Sequence, residues 1–250
     1  MRAVILAGGR GTRLAPYTTV FPKPLVPVGE YPIIEIILRQ LHAQGVRRVT
    51  LAVGYLAELI RAYLDQRSAV FDGLQIDYIT ETAPTGTAGA LGSIPDLADE
   101  EFFLVMNGDV LTTIDLAAMV RHHRASKSDL TIATAARAVD VDLGVLEIDA
   151  EEHVVGYREK PRLEYDVSMG IYLYSPQALR WIERGVYLDF PDLILKMISE
   201  GQRIGAYRTD CLWLDIGRHE DYATAVETFE ANREAFLPVS KGDEEKPSRG

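Results

Sequence analysis

The 250 residues predict an α/β fold, a single domain with a mixed, mostly parallel central sheet flanked by helices. Three observations carry this reading. Short apolar runs alternate with helical periodicities through the first half, the rhythm of a parallel sheet covered on both sides. The first run, Ala3 to Ala7, is wholly apolar, as expected of a strand buried on both faces. A glycine-rich loop follows it at once.

Taken in order, Ala3 to Ala7 is the first strand. Pro32 suits a first helical position, and Ile33, Ile34, Ile36, Ile37 and Leu41 form an apolar face ending before Gly45. Arg48 to Val53 reads as the next strand. Leu56, Leu59, Ile60, Tyr63 and Leu64 then repeat at helical spacing, leaving Glu58 and Arg61 to solvent. Leu74 to Ile79 and Phe102 to Met106 are further strands, followed by a helix from Asp115 to about Ala125. In the second half Leu130 to Ala136, Gly144 to Ile148, His153 to Tyr157 and Gly170 to Tyr174 are strand-like with short connections, which predicts an antiparallel portion of the same sheet. Helices are expected at Pro176 to Glu183, Asp192 to Glu200 and His219 to Glu234, the last with Tyr222, Val226 and Phe229 on one face. Residues 1–237 make the domain; 238–250 are polar and mixed in charge, and a disordered tail is expected there.

Composition narrows the function. The net charge of −11, without a basic stripe, argues against a nucleic-acid partner. Cys211 is the sole cysteine, so no internal disulfide forms, and the five histidines show no zinc-ligand spacing. No apolar run is long enough for a bilayer and no signal peptide is evident, so a soluble cytoplasmic protein without a membrane partner is expected.

The chemistry begins at the loop. Gly8, Gly9 and Gly11 allow a tight turn whose amides can face phosphate oxygens, and Arg10 and Arg13 add positive charge. A Walker A loop is excluded because no lysine followed by Ser or Thr stands here, and the dinucleotide fingerprint fails where Leu14 replaces its third glycine. Pro16, Pro22, Pro24, Pro27 and Pro32 then stiffen the chain, so Lys23 is presented on a confined segment.

GGRGTRL, FPKPLVPV and PIIEIILRQL resemble the signature region of the sugar-1-phosphate nucleotidyltransferases. GTAGAL at Gly86 to Leu91, NGD at Asn107 to Asp109, EKP at Glu159 to Pro161, SMGIYLYSP at Ser168 to Pro176 and WLDIG at Trp213 to Gly217 extend the likeness over nearly the whole chain. The motifs are closest to those of mannose-1-phosphate guanylyltransferases. The resemblance implies a single Rossmann-like, GT-A-type domain that transfers a nucleotidyl group from a nucleoside triphosphate to a sugar 1-phosphate, with Mg2+ as cofactor and release of pyrophosphate. No hexapeptide repeat is present, so the β-helix that some members append is not expected. The oligomeric state is open, a homodimer included.

The same resemblance assigns roles residue by residue. Asp109 and Asp215 would hold the metal. Arg13 would hold the triphosphate, Lys23 would stabilise charge at the reacting phosphates, and Lys160 would contact the sugar phosphate. Leu6, Ala7, Gly8, Gly9, Gly11, Thr12, Glu81 and Gly86, with Arg13 and Asp109, would line the nucleotide site, Gly86 letting its loop pack against the base. Gly144, Glu159 and Gly170, with Lys160 and Asp215, would form the sugar-phosphate site. Asp109 also follows the apolar run FFLVM, which places it at the carboxyl end of the sheet, where open α/β sheets bind ligands. Plainer readings stand beside these: Asp109 as a turn former, Asp215 as a helix cap, Glu159 and Lys160 as an exposed charged turn. A carboxylate at Glu81 can accept from both N1–H and the exocyclic amine of guanine, which favours GTP, while related uridylyl enzymes carry a glutamate nearby.

Competing classes are a metal-dependent glycosyltransferase, a nucleotide-sugar sensor and a uridylyl-, thymidylyl- or cytidylyltransferase, the last acting also on phosphocholine. The glycosyltransferase reading lacks a local DxD pair, since Val110 and Leu111 follow Asp109. The sensor reading requires lost charges, and none is lost. His122 and His123 read as a solvated helix face, His219 as a helix-start residue, and Trp181, Tyr172 and Tyr174 as core or rim.

Overall fold

Strand β1 (Arg2–Ala7) shows why the first run had to be apolar: its side chains alternate between two separate hydrophobic cores. Ala3, Ile5 and Ala7 join one with Ile33, Ile37 and Ile60, while Val4 and Leu6 join the other with Leu91, Tyr174 and Met197. The computed structural model describes residues 1–9, 11–81 and 84–237. Arg10 and the tail expected over 238–250 lie outside the described residues.

After β1 a 3-10 turn (Thr12–Leu14), α1 (Tyr17–Val20) and a second 3-10 turn (Lys23–Leu25) lead into the short hairpin β2 (Pro27–Val28) and β3 (Tyr31–Pro32). Then come α2 (Ile33–Ala43), β4 (Arg48–Val53), α3 (Ala57–Gln66), β5 (Gln75–Thr80), α4 (Gly86–Gly89), β6 (Phe103–Asn107), β7 (Val110–Thr112) and α5 (Leu116–Ser126). The second half holds β8 (Leu130–Asp140), β9 (Val145–Ile148), β10 (Val154–Arg158), β11 (Arg162–Tyr174), α6 (Phe190–Ser199), β12 (Ile204–Arg208), β13 (Trp213–Asp215), α7 (His219–Ala231) and α8 (Arg233–Phe236).

Among the described residues, seven strands form the central sheet in the order β12-β8-β11-β6-β1-β4-β5. β1 pairs in parallel with β4 and β6, β4 with β5, and β12 with β8, while β11 runs antiparallel to both β6 and β8. The expected mixed, mostly parallel sheet is therefore present, with α2, α3 and α7 on one face and α4 and α6 on the other. β1 and β6 end side by side, so the loops after both open at the same edge.

Several expectations need correction. Pro32 is extended (ψ 149°) and stands one residue before α2. Leu59 is exposed and Leu56 lies outside α3, whose buried face is Ala57, Ile60 and Leu64. Arg61 is half-buried, over the Tyr78 ring. Pro176 to Trp181 is a 3-10 turn rather than a helix to Glu183, and α7 breaks after Ala231. β8 and β11 extend well beyond the expected Leu130–Ala136 and Gly170–Tyr174, because their outer halves pair with each other away from the core. Those halves need no hydrophobic pattern, so none announced them. His123 is buried, not solvated: Nδ1 is 2.8 Å from Thr131 Oγ1 and Nε2 3.0 Å from Ser175 Oγ. Two hydroxyls, Thr131 on β8 and Ser175 just after β11, satisfy the ring, which makes its burial tolerable.

A buried carboxylate stands in α2. Glu35 is fully enclosed and accepts hydrogen bonds from Arg39, Arg67 and Tyr63. Burial alone would raise its pKa, yet the bonds from Arg67, Tyr63 and Arg39 outweigh it and hold the carboxyl below its ordinary value.

Candidate active site

The loop after β1 is built around one close approach. Glu81 Oε2, just beyond β5, lies 2.6 Å from where a Cβ on Gly8 would stand, so the missing side chain leaves this carboxylate room against the loop. Thr18 Oγ1 donates to Gly11 O at 2.7 Å, tying the loop to α1. Pro22 is extended (ψ 142°) and turns the chain into the 3-10 turn that carries Lys23, closed by Leu25 N to Pro22 O at 2.8 Å. The confinement expected of the PKP segment is thus real, and it aims the Lys23 ammonium at Asp109, with which it forms an ion pair.

Asp109 follows β6, as expected. Ile216 N donates to Asp109 O at 3.0 Å, and β13 pairs antiparallel with β7 so that Asp215 faces Val110. Two carboxylates distant in sequence are therefore brought side by side. Asp109 Oδ1 is buried without a hydrogen-bond partner among the described residues. Asp215 stands at the open rim, yet partial desolvation and then the Asp109 charge raise its pKa, opposed by Lys23 and Arg13.

A cavity of about 450 Å³ lies between these elements. Of the expected nucleotide residues, Leu6, Gly8, Gly9, Gly11, Thr12, Arg13, Glu81, Gly86 and Asp109 line it, together with Lys23. Ala7 does not; it belongs to the core beneath. Asp215 is next to the wall through Gly217. The reason for Gly86 also changes. Its φ is +80° and a Cβ there would lie 2.5 Å from Leu188 O, so the glycine serves contact with the protein's own backbone.

The sugar-phosphate residues divide. Gly170 sits in the β11 bulge between Ser168 and Tyr172, against the Asn107 amide, and Asn107 lines the cavity. Gly144 lies under the Tyr157 ring, whose hydroxyl donates to Glu159, and Lys160 Nζ pairs with Asp142 Oδ1 at 2.9 Å. Gly144, Glu159 and Lys160 thus share one exposed patch where the β9–β10 hairpin joins β11, outside the cavity lining.

Asn107, Pro84, Thr85, Thr87, Tyr187, Asp189 and Gly217 line the cavity without having been assigned to it from sequence. The GTAGAL and NGD motifs signal several of them. Tyr187 and Asp189 carry no motif, because they arrive from the second half through tertiary contact: Leu188 N donates to Thr85 O, and Ala88 N and Gly89 N donate to Leu188 O.

Residues 2–232 match the family described as Nucleotidyl transferase. The chain belongs to this family. It is 32% identical, over 90% of its length, to a UTP–glucose-1-phosphate uridylyltransferase of Synechocystis. It is 31% identical over 88% to a mannose-1-phosphate guanylyltransferase of Mycobacterium tuberculosis, and it spans 62% of each of these two relatives. A D-glycero-alpha-D-manno-heptose 1-phosphate guanylyltransferase of Aneurinibacillus thermoaerophilus is 30% identical, with 90% of this chain and 96% of the relative covered. The crystal structure of HddC from Yersinia pseudotuberculosis superposes with a TM-score of 0.69 at 30% identity, covering 91% of this chain and 99% of that one.

A nucleotidyl transferase that handles phosphates calls for a hard divalent cation, and the donor set here suits one. Asp109 Oδ1 and the carboxylate of Asp215, whose charge costs extra beside that of Asp109, would offer hard oxygen donors of the kind a divalent cation prefers. Among the described residues a second acidic group, Asp149, Glu151 and His153, lies on the exposed β9–β10 turn. It belongs to that turn, where Asp149 accepts from the backbone of Glu151 and His153.

Proposed function

We propose that the protein transfers a nucleotidyl group from a nucleoside triphosphate, GTP in preference, to a sugar 1-phosphate, releasing pyrophosphate. The observation that carries this reading is the single cavity in which the glycine loop, Arg13, Lys23 and the partly unsatisfied Asp109 meet. One anhydride is exchanged for another, so the protein's task is to align two polyanions and hold charge on the equatorial oxygens. Arg13 and the loop amides hold the triphosphate. Lys23, now resting on Asp109, is placed to turn its ammonium to the reacting phosphates. Asp109 and Asp215 would hold Mg2+, which supplies neutralisation of the developing phosphate charge. Asn107 and Gly170 mark the side from which the sugar phosphate arrives, with Glu159 and Lys160 on the flanking hairpin.

The preference for GTP rests on Glu81. Thr85 Oγ1 donates to Glu81 Oε1 at 2.6 Å, which fixes the carboxylate at the wall, where it can accept from the two N–H groups on the guanine edge. The guanylyltransferases of Mycobacterium and Aneurinibacillus are similar to this chain, and so is the uridylyltransferase of Synechocystis. A matrix of nucleoside triphosphates against sugar 1-phosphates, scored by pyrophosphate release, tests both levels. GTP with a manno-configured sugar phosphate is expected to lead; preference for UTP or dTTP overturns the base, and release with no sugar phosphate overturns the class.

A further inference from the structure

Tyr187 is exposed over 60% of its surface, although it is an aromatic residue on a cavity wall. It is not loose. Its hydroxyl donates to Asp189 Oδ2 at 2.6 Å, and Asp189 Oδ1 in turn accepts from Thr87 N at 3.1 Å and Thr87 Oγ1 at 3.3 Å. Asp189 occupies the N-cap position of α6, where a carboxylate ordinarily accepts from the first helical amides, yet it makes no capping bond. The side chain is diverted from its helix to the ring and to the loop that carries Gly86. The backbone bonds of Leu188 to Thr85, Ala88 and Gly89 lock the same two segments together.

We propose that the face of the Tyr187 ring is the platform on which the substrate's nucleobase stacks, with Asp189 as the positioning residue that holds the ring through its hydroxyl. This deepens the nucleotidyltransferase reading and rests on it. Tyr187 lies on the cavity wall beside Thr85 and Glu81: Leu188 N donates to Thr85 O, and Thr85 Oγ1 donates to Glu81 Oε1, the carboxylate assigned to the base. A nucleotide whose phosphates lie on the glycine loop therefore extends its base toward this ring. Every base has a π-face, so stacking supplies affinity with little selectivity. Glu81 reads the edge. A pyranose can also lie on an aromatic ring, but Gly144, Glu159 and Lys160 gather elsewhere, so the base is the occupant the placement favours.

Equilibrium binding to the full chain tests this, with GTP, inorganic triphosphate and mannose 1-phosphate as probes. Tyr187→Ala is expected to weaken GTP roughly tenfold, while inorganic triphosphate, which has no base, changes less than about twofold. Tyr187→Phe keeps the ring and loses only its bond to Asp189, so it weakens GTP modestly, within about threefold of the parent. Asp189→Ala raises KM for the nucleotide about as much as Tyr187→Phe with kcat nearly unchanged, and Tyr187→Ala combined with Asp189→Ala is no weaker than Tyr187→Ala alone, because Asp189 acts through that ring. Unchanged GTP affinity in Tyr187→Ala, an equal loss for inorganic triphosphate, or a loss confined to the sugar phosphate each overturns the platform alone. Failure of the parent chain to bind any nucleoside triphosphate overturns the function reading, and the platform with it.

Discussion

Lys23 and Asp109 are 86 residues apart in the chain and in contact in the fold, and the proposed transfer is concentrated at that pair. Asp109→Asn and Asp215→Asn are each expected to abolish turnover while melting temperature stays close to that of the parent, since both lie at the cleft. Metal-dependent pyrophosphate release by both variants would remove them from the site. Lys23→Ala is expected to lower kcat by roughly a hundredfold with a smaller change in KM, because the ammonium acts on charge that accumulates during transfer. Glu35 carries a different prediction. Its folded pKa is held below the unfolded value of 4.5, so its contribution to stability is complete above that value and is lost as pH falls through the lower folded one. Glu35→Gln should cost about 1–3 kcal/mol at neutral pH, since Arg39 and Arg67 lose a charged acceptor. Urea unfolding should also show a shallower acid loss in the variant; parallel pH profiles would rule out Glu35 as the source.

Helix α5 and the Gly86 loop show what elements add. His123 faces inward on α5, and burial, with His122 adding to it, lowers its pKa. The unfolded state therefore takes up a proton first, and stability falls as pH drops below 6.5 until the folded ring titrates too. Replacing His123 by Gln should flatten that part of the stability profile, measured by thermal unfolding across the range. At the loop, Gly86→Ala forces a Cβ onto Leu188 O at positive φ, a strain of about 1–3 kcal/mol. The expected outcome is a lower melting temperature and a raised KM for the nucleotide; parent values for both would show that the two segments can part without cost. The strands with core-facing runs, β1, β4 and β6, were legible within a residue, because burial on two faces leaves a continuous apolar run. The outer halves of β8 and β11 left no such trace, their pairing being satisfied by backbone alone.

Across the whole molecule, the −11 net charge disfavours a polyanion, and among the described residues Arg13 and Lys23 on the cavity wall oppose it. Chelation by EDTA is expected to abolish pyrophosphate release and magnesium to restore it, while nucleotide with magnesium raises the melting temperature through binding to the folded state. Unaltered turnover in excess EDTA would end the metal reading. Among the described residues, no helix is long and apolar enough to cross a membrane. The core strands β1, β4 and β6, helices α2, α3, α5 and α7, the family and the loop, lysine and aspartate motifs were legible in the sequence, because each is written in contiguous residues whose spacing matches a local geometry, whereas β12, β13 and β7 carried no such pattern. Only the tertiary structure decided that Asp215 stands beside Asp109, that Glu81 touches Gly8, and that Tyr187 and Asp189 close the wall. Those juxtapositions arise from strand pairing and from hydrogen bonds between segments distant in the sequence, and no local pattern records them.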